Sequence, residues 1–417
     1  MPASPSSTPT FRSTMAGRQG VILAMAVITA VLTGPGQTIG VSVFINSFIT
    51  DLHLSRSQVS WAYMFGTLTA SLMLPLVGAR IDRYGVRRAQ IVIGIFFAAA
   101  LVNMSMVNSL VWLAIGFVGI RFLGQGSLSL VAVLSVSLSF KRFRGTALGL
   151  HSTLAGGLMV LTPLVLTFSI HRIGWRYTWV AAAAAIAVTV VPIALFAMRD
   201  PAPANPDSQE SDVDETELNG VSHDRSSAIR TKGFWIVAAV SGSASMLVTA
   251  LNFHQIDILT NAGLSEGAAA ALFIPQIAGS TAAGLTFGWL ADRVGTRALP
   301  TASMVLLVVV HLLASVVNPG LTVVIYAVAL GSVGGAARTV SSVLLPEWFG
   351  TANLGSIQGT LTLIGVAASA IGPLALALTQ EWFDAYRPAV LLLAIIPVLA
   401  GLFALQSPRT ATTTIEV

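Results

Sequence analysis

Six ionisable residues stand inside long apolar stretches of this chain: Arg121, His151, His254, Asp257, His311 and Arg338. A charge at the centre of a bilayer costs at least about 2.5 to 3.5 kcal/mol, so such a residue normally turns toward a cavity or a partner. A fixed guanidinium is a natural bidentate partner for a carboxylate, which makes Arg121 and Arg338 candidates for holding an organic anion. His254 and Asp257 are three residues apart and share a helix face. A carboxylate beside an imidazole can exchange a proton near neutral pH, so this pair is a candidate for proton coupling. The segment Asn252-Phe253-His254-Gln255-Ile256-Asp257 is the most polar cluster inside any apolar stretch. Gln37, Asn252 and Gln276 are further polar side chains able to bond a solute, and Tyr63 and Phe44 are aromatics able to line its cavity. His151 reads as a packed or hydrogen-bonded histidine. His311 reads as facing lipid or a neighbour, with no role.

These residues need elements that hold them in lipid. Only 9% of the 417 residues are charged and 54% are apolar, with a mean hydropathy of +0.81, against about 25% charged in soluble domains. The apolar residues come in blocks of roughly twenty, the length that crosses a core of about 30 Å. The expected spans are 19 to 49, 58 to 79, 89 to 107, 110 to 138, 145 to 169, 175 to 198, 233 to 260, 267 to 291, 298 to 317, 321 to 345, 353 to 378 and 386 to 406. The expected class is therefore an all-α integral membrane protein of twelve transmembrane helices in two six-helix halves, 19–198 and 233–406. Residues 1–18 read as a disordered tail with no secretory-signal pattern. Residues 407–417 read as a second tail. Between the halves, residues 199–232 hold eight acids and four bases with several Ser and Pro, the composition of a solvated acidic linker.

Positive loops are retained on the cytoplasmic side. Twelve Lys and Arg, among them Arg80, Arg83, Arg87, Arg88, Lys141, Arg142, Arg144, Arg293 and Arg297, fall on one side, against Arg56, Arg172, Arg176 and Arg387 on the other. Both termini are therefore expected in the cytoplasm of a plasma membrane, a bacterial inner membrane in the first instance. This scatter also accounts for the basic pI without nucleic acid. His254 and Asp257 then lie in the outer part of their span, where a polar side chain can simply reach interfacial water. Arg121 falls near mid-depth and Arg338 at or somewhat below it.

The halves repeat one another. Gly78, Asp82, Arg83, Gly85 and Arg87 recur as Gly288, Asp292, Arg293, Gly295 and Arg297, each displaced by 210, and Leu54-Ser55 returns as Leu264-Ser265. A displacement of 206 relates Arg142–Gly149 to Trp348–Gly355. Parallel halves of this kind make a rocking architecture with a solute site near mid-membrane.

Over essentially its whole length the chain resembles the major facilitator superfamily. The resemblance rests on the loop signature Gly78 to Arg88, its copy Gly288 to Arg297, and Arg121-Phe122-Leu123-Gly124-Gln125-Gly126, which is similar to an R-x-x-x-G-x-G pattern with one residue fewer. Gly34-Pro35-Gly36-Gln37-Thr38 and Trp348-Phe349-Gly350 with Leu354-Gly355-Ser356-Ile357 resemble the monocarboxylate and oxalate/formate exchanger branch. The resemblance implies that Asp82, Arg83, Gly85, Arg87, Asp292 and Arg293 latch the halves on the cytoplasmic side; the plain reading is that they only fix topology. It also implies that Arg121 can bond polar groups of the first span near Gln37 instead of a solute. The chain departs from the branch in having no basic residue in the eighth or eleventh span, which offer Gln276 and Gln358. It also lacks the G-P-x-x-G-G of many drug/proton antiporters in the fifth span.

There is no cysteine, and there is no G-x-x-x-x-G-K-[ST], no H-E-x-x-H and no other metal-ligand cluster. No enzyme, no metal and no cofactor is expected. The expected function is secondary transport of a small, monocarboxylate-like organic anion by a monomer, with proton coupling or exchange. The alternative is efflux of drug-like or amphipathic compounds. A membrane sensor is a weaker third reading, since 34 linker residues and short tails make no output domain.

Overall fold

The computed structural model describes residues 15, 17–140, 144–197, 225–294, 296–350 and 354–408, with the backbone alone for a few of these. The expected tails, most of the acidic linker, and the side chains of Asp82 and Asp292 lie outside the described residues.

The described residues are helical nearly throughout and form twelve rods. In the first half these are α1 (18–52), α2 (Arg56–Tyr84), α3 (Val86–Ser105), α4 (Leu110–Ser139), α5 (144–173) and α6 (175–197). In the second they are α7 (Lys232–Asn261), α8 (266–294), α9 (Leu299–Ser315), α10 (Leu321–Phe349), α11 (Leu354–Phe383) and α12 (Tyr386–Ala404). Among the described residues, nine helical stretches are long and apolar enough to cross a membrane. Two features of the rods lower that number. α5 and α6 run together in one 49-residue stretch, although Gly174 breaks the helix between them at φ 79°. α9 is only 17 residues long.

The repeat is legible in the backbone. Left-handed residues recur at a displacement of 210: His53 and Gly263, then Gly174 and Asp384. Each ends one rod and turns the chain into the next, the place where a left-handed residue closes a helix C-terminus. Ser55 and Ser265 are equivalent N-caps, accepting from Gln58 N and Ala268 N. Such a cap satisfies one of the orphan N–H groups that lipid cannot solvate.

Each half has its own apolar core, and Phe253 of α7 joins the core of the first half. Large apolar side chains such as Leu72, Val111, Leu285 and Trp382 stand on the outside, as expected where lipid is the solvent. Of the two places expected for His311, lipid or a neighbour, the structure gives the second: it is buried and its Nδ1 lies 2.9 Å from Leu307 O. A polar ring of this size on an apolar helix is better accommodated against its own backbone than in acyl chains.

Candidate functional site

A cavity of about 620 Å³ lies between the halves and adjoins one of about 370 Å³ lined by the second half, the two sharing Val248, Gly334 and Arg338 on their walls. The larger is bounded by α5, α7, α8 and α10, the smaller by α7, α10 and α11. Their walls span the middle of the helices, from Asn252, Phe273 and Leu330 down to Ser341 and Gln358 on the side of the Lys- and Arg-rich loops, here the basic end. The opposite end is the far end.

Close helix packing positions Arg338. Gly331 and Gly335, four apart on α10, rest on the carbonyls of Gln276 and Ser280 of α8, and a Cβ at either would overlap that backbone. Small residues at this spacing let membrane helices meet backbone to backbone. One turn further along α10, Arg338 stands about 26 Å from the start of its helix and about 17 Å from its end. Its Nη2 donates to Ser280 Oγ at 2.5 Å, and the rest of the guanidinium is exposed to the cavity. Gln276 is buried on the same wall, where its Nε2 donates to Gln255 Oε1 at 2.5 Å while Gln255 Nε2 donates to Ala269 O at 3.3 Å. Asn252 also borders the larger cavity, with its Oδ1 buried and unpartnered. Arg338, Gln276 and Asn252 are thus brought to one chamber.

Arg121, Gln37 and Tyr63 are gathered elsewhere. Gly34-Pro35-Gly36 interrupts α1, because Pro supplies no N–H and its ring excludes the preceding helical turn. The interruption leaves carbonyls without helical donors. Arg121, in a widened π-helical turn of α4 (Arg121–Leu128), donates from Nη1 to Gly36 O at 3.2 Å and from Nε to Thr67 Oγ1 at 3.0 Å. Its guanidinium lies 4.7 Å over the Tyr63 ring, whose hydroxyl meets Thr38 Oγ1 at 2.7 Å. Only 3% of Arg121 is exposed and Tyr63 is fully buried. Gln37 Nε2 donates to Thr33 Oγ1 at 3.1 Å. In this conformation these three side chains tie α1, α2 and α4 together and do not border the cavities. Gly36 permits that approach, since a Cβ there would come 2.6 Å from Ile120 O. Arg121→Lys is expected to lose the fork of bonds and lower the melting temperature of detergent-solubilised protein by several degrees; an unchanged melting temperature would refute the staple role.

The far end is closed by contacts between the halves. Arg56 Nη2 pairs with Asp257 Oδ1 at 2.8 Å, the side chains 14% and 17% exposed. Ser57 N, at the N-terminus of α2, donates to Glu381 Oε1 of α11 at 2.9 Å, a favourable place for an anion because the first turn of a helix has free N–H groups and a positive dipole end. Tyr63 packs on Phe253 with ring centroids 4.6 Å apart. His171 and Glu266 add a surface pair at 3.3 Å.

Asp257 therefore faces Arg56 across the gate. His254 is fully buried and its Nε2 meets Pro373 O of α11 at 2.9 Å. The two side chains of the expected coupling pair point to different helices. The sequence reading missed Arg56, Ser57, Glu381 and Ser280. The partner of Ser57 lies 324 residues away, and the only sequence signal was the capping pair Ser55 and Gln58 that marks where α2 begins.

The gate yields a testable expectation. A half-buried pair of this kind contributes on the order of 1 kcal/mol, so Arg56→Gln should raise the far-end-open population about fivefold. Because the chain has no cysteine, spin labels on Asn108→Cys and Pro319→Cys can read the far-end separation directly. An unchanged distance distribution would refute the gate.

Of the signature residues, Arg87 donates from Nε to Ala194 O at 3.2 Å and from Nη2 to Leu195 O at 2.9 Å, closing the C-terminal turn of α6 within its own half. Arg83 and Arg293 are exposed, each over a neighbouring ring, Tyr84 at 5.2 Å and Trp289 at 5.6 Å. Gly85 turns α2 into α3 at φ 82°. His151 is buried with Nε2 unpartnered.

Twelve rods in two repeated halves, closed at one end over a cavity with a guanidinium on its wall, define the class of two-domain membrane carriers. The chain belongs to the major facilitator superfamily: the Major Facilitator Superfamily profile matches residues 25–280. It is 27% identical over 286 residues to an uncharacterized MFS-type transporter, YcxA, of Bacillus subtilis (strain 168), an alignment covering 63% of this chain and 64% of that protein. Among solved structures it is similar to a bacterial homolog of the human lysosomal transporter Spinster in an inward-facing, occupied conformation. That likeness has a TM-score of 0.73 at 18% identity over 94% of this chain and 97% of that one. It is also similar to the nucleoside transporter NupG, with a TM-score of 0.76 at 13% identity over 92% of this chain and 98% of that one. These likenesses establish the fold, and the chain is a multi-pass membrane protein.

Proposed function

We propose that the chain is a secondary transporter, working by alternating access, for a small organic anion. One observation carries the reading: Arg338 is exposed on the wall of the central cavity, and the ion pairs among the described residues, Arg56–Asp257 and His171–Glu266, leave it without an acid. A fixed guanidinium with donors to spare is the partner of a carboxylate. Gln276 and Asn252 on the same wall supply neutral hydrogen bonds to the rest of the solute.

With the basic end at the cytoplasm, the cavity faces inward. Return to the outward state requires Arg56 and Asp257 to part, and Asp257 is the proposed proton carrier. Asp257→Asn is then expected to abolish accumulation driven by a pH gradient while leaving counterflow exchange; surviving driven accumulation would remove Asp257 from the coupling. A monomer in a bacterial inner membrane is the proposed setting.

The second reading, efflux of amphipathic compounds, has its own observation. An apolar cleft of about 380 Å³ lies between α1, α5 and α6, lined by residues such as Leu32, Leu161 and Val165. Uptake of labelled short carboxylates and of their neutral amides into proteoliposomes with an imposed pH gradient separates the two. Carboxylate uptake without amide uptake supports the anion reading, and transport of apolar amines alone supports efflux.

A further inference from the structure

Arg338 stands where the two lobes of the cavity meet, and the smaller lobe has a composition of its own. Ser241, Ser245 and Thr249 of α7 face it at successive intervals of four residues, opposed by Ser341 of α10 and by Gln358 and Thr362 of α11. At 1.5 Å per residue the α7 hydroxyls step about 6 Å apart along one face, a ladder of about 12 Å that spans the depth of the guanidinium.

A hydroxyl on a membrane helix can return its proton to its own backbone and keep its oxygen free as an acceptor. Thr362 does so, donating to Gln358 O at 2.9 Å. Ser241 and Ser341 bond each other at 2.7 Å across α7 and α10, so one gives its proton to the other and the accepting hydroxyl keeps its own proton for a third group. The wall thus presents both acceptors and donors. A hydrocarbon tail in this lobe would strip water from these groups and replace none of it, a cost of about 1 to 3 kcal/mol for each group left unpaired. A chain of hydroxyl-bearing carbons restores the bonds.

We propose that the solute is a polyhydroxylated carboxylate, its carboxylate held by the donors of Arg338 that Ser280 leaves free and its hydroxylated chain lying along α7 and α11 in the smaller lobe. This rests on the organic-anion reading and narrows it. Among the described residues the first half contributes uncharged residues to the wall, among them Gly156 and Gly157, with open space beside both. Recognition is therefore assigned to the second half, with the first half as a movable lid.

The test uses the full chain in proteoliposomes and three six-carbon probes: gluconate, hexanoate and glucose. Gluconate is expected to be carried at least tenfold faster than hexanoate at equal concentration, with glucose not carried. Ser245→Ala with Thr249→Val should bring the two acids to within about twofold of each other, and Ser245→Thr should keep the preference. Hexanoate carried as well as gluconate by the wild type overturns this inference and leaves the organic-anion reading standing. A gluconate preference that persists in the double variant overturns the assigned lobe. Carriage of glucose alone, or of none of the three, removes the organic-anion reading and this inference together.

Discussion

Arg338→Gln is expected to abolish carboxylate uptake while leaving the protein folded. The substitution removes the cation of the central cavity and, with it, charge-assisted bonds worth about 1.5 to 3 kcal/mol, or about a 10- to 150-fold loss of affinity. It leaves a side chain that can still bond Ser280, the guanidinium's partner at 2.5 Å. Because Arg338 is exposed to the cavity, its loss leaves no packing void, and the melting temperature in detergent should stay within a degree or two. Initial uptake rates against carboxylate concentration, alongside a thermal scan, provide the check. Unimpaired uptake would end the anion assignment. A collapse of the melting temperature would show that the arginine holds α8 and α10 together instead.

Gly331→Ala is expected to be the most damaging single-methyl change in the described chain. Its Cβ would overlap the carbonyl, and the backbone around it, of Gln276 on α8. Two helix backbones cannot give way as a flexible side chain does, so α8 and α10 must separate along the seam that sets the cavity wall. Overpacking typically costs about 1 to 3 kcal/mol and more where backbone must shift. The expected result is a strongly reduced yield of monodisperse protein and loss of uptake in what remains. Gly359→Ala on α11 is the control: nothing lies within 4 Å of its Cβ position, and the exchange of Gly for Ala in a helix is neutral or favourable. Equal behaviour of the two variants, measured by size-exclusion profile and thermal scan, would refute the backbone seam.

The all-helical membrane class and nine spanning stretches among the described residues were legible because each rests on a local quantity. Length and continuous apolarity locate a membrane helix without reference to any other helix, and a Ser before an apolar block marks an N-cap, as at Ser55 and Ser265. The displacement of 210 that relates Leu54-Ser55 to Leu264-Ser265 is matched one residue earlier by the left-handed turns at His53 and Gly263. Boundaries moved where polar helix ends extend past the lipid core, as in α2 and α10, which run to Tyr84 and Phe349. The site was less legible. Arg121 and Arg338 look alike in sequence, each a lone cation in an apolar span, yet one is sealed against the break in α1 and the other is open to the cavity. His254 and Asp257 share a helix face at i and i+3, but their partners are on α11 and α2.

The sequence by itself determined the solvent, the helical class, the twofold repeat and the absence of thiol chemistry, since these follow from composition and from distance along one helix. The tertiary structure decided which way each intramembrane charge points. In lipid, a helix is apolar on nearly every side, so periodicity gives no azimuth, and the choice falls to contacts between helices far apart in the chain. The meeting of α8 and α10 over Gly331 and Gly335 turns Arg338 to the cavity. The crossing of α1, α2 and α4 encloses Arg121, and the closure of the far end gives Asp257 to Arg56.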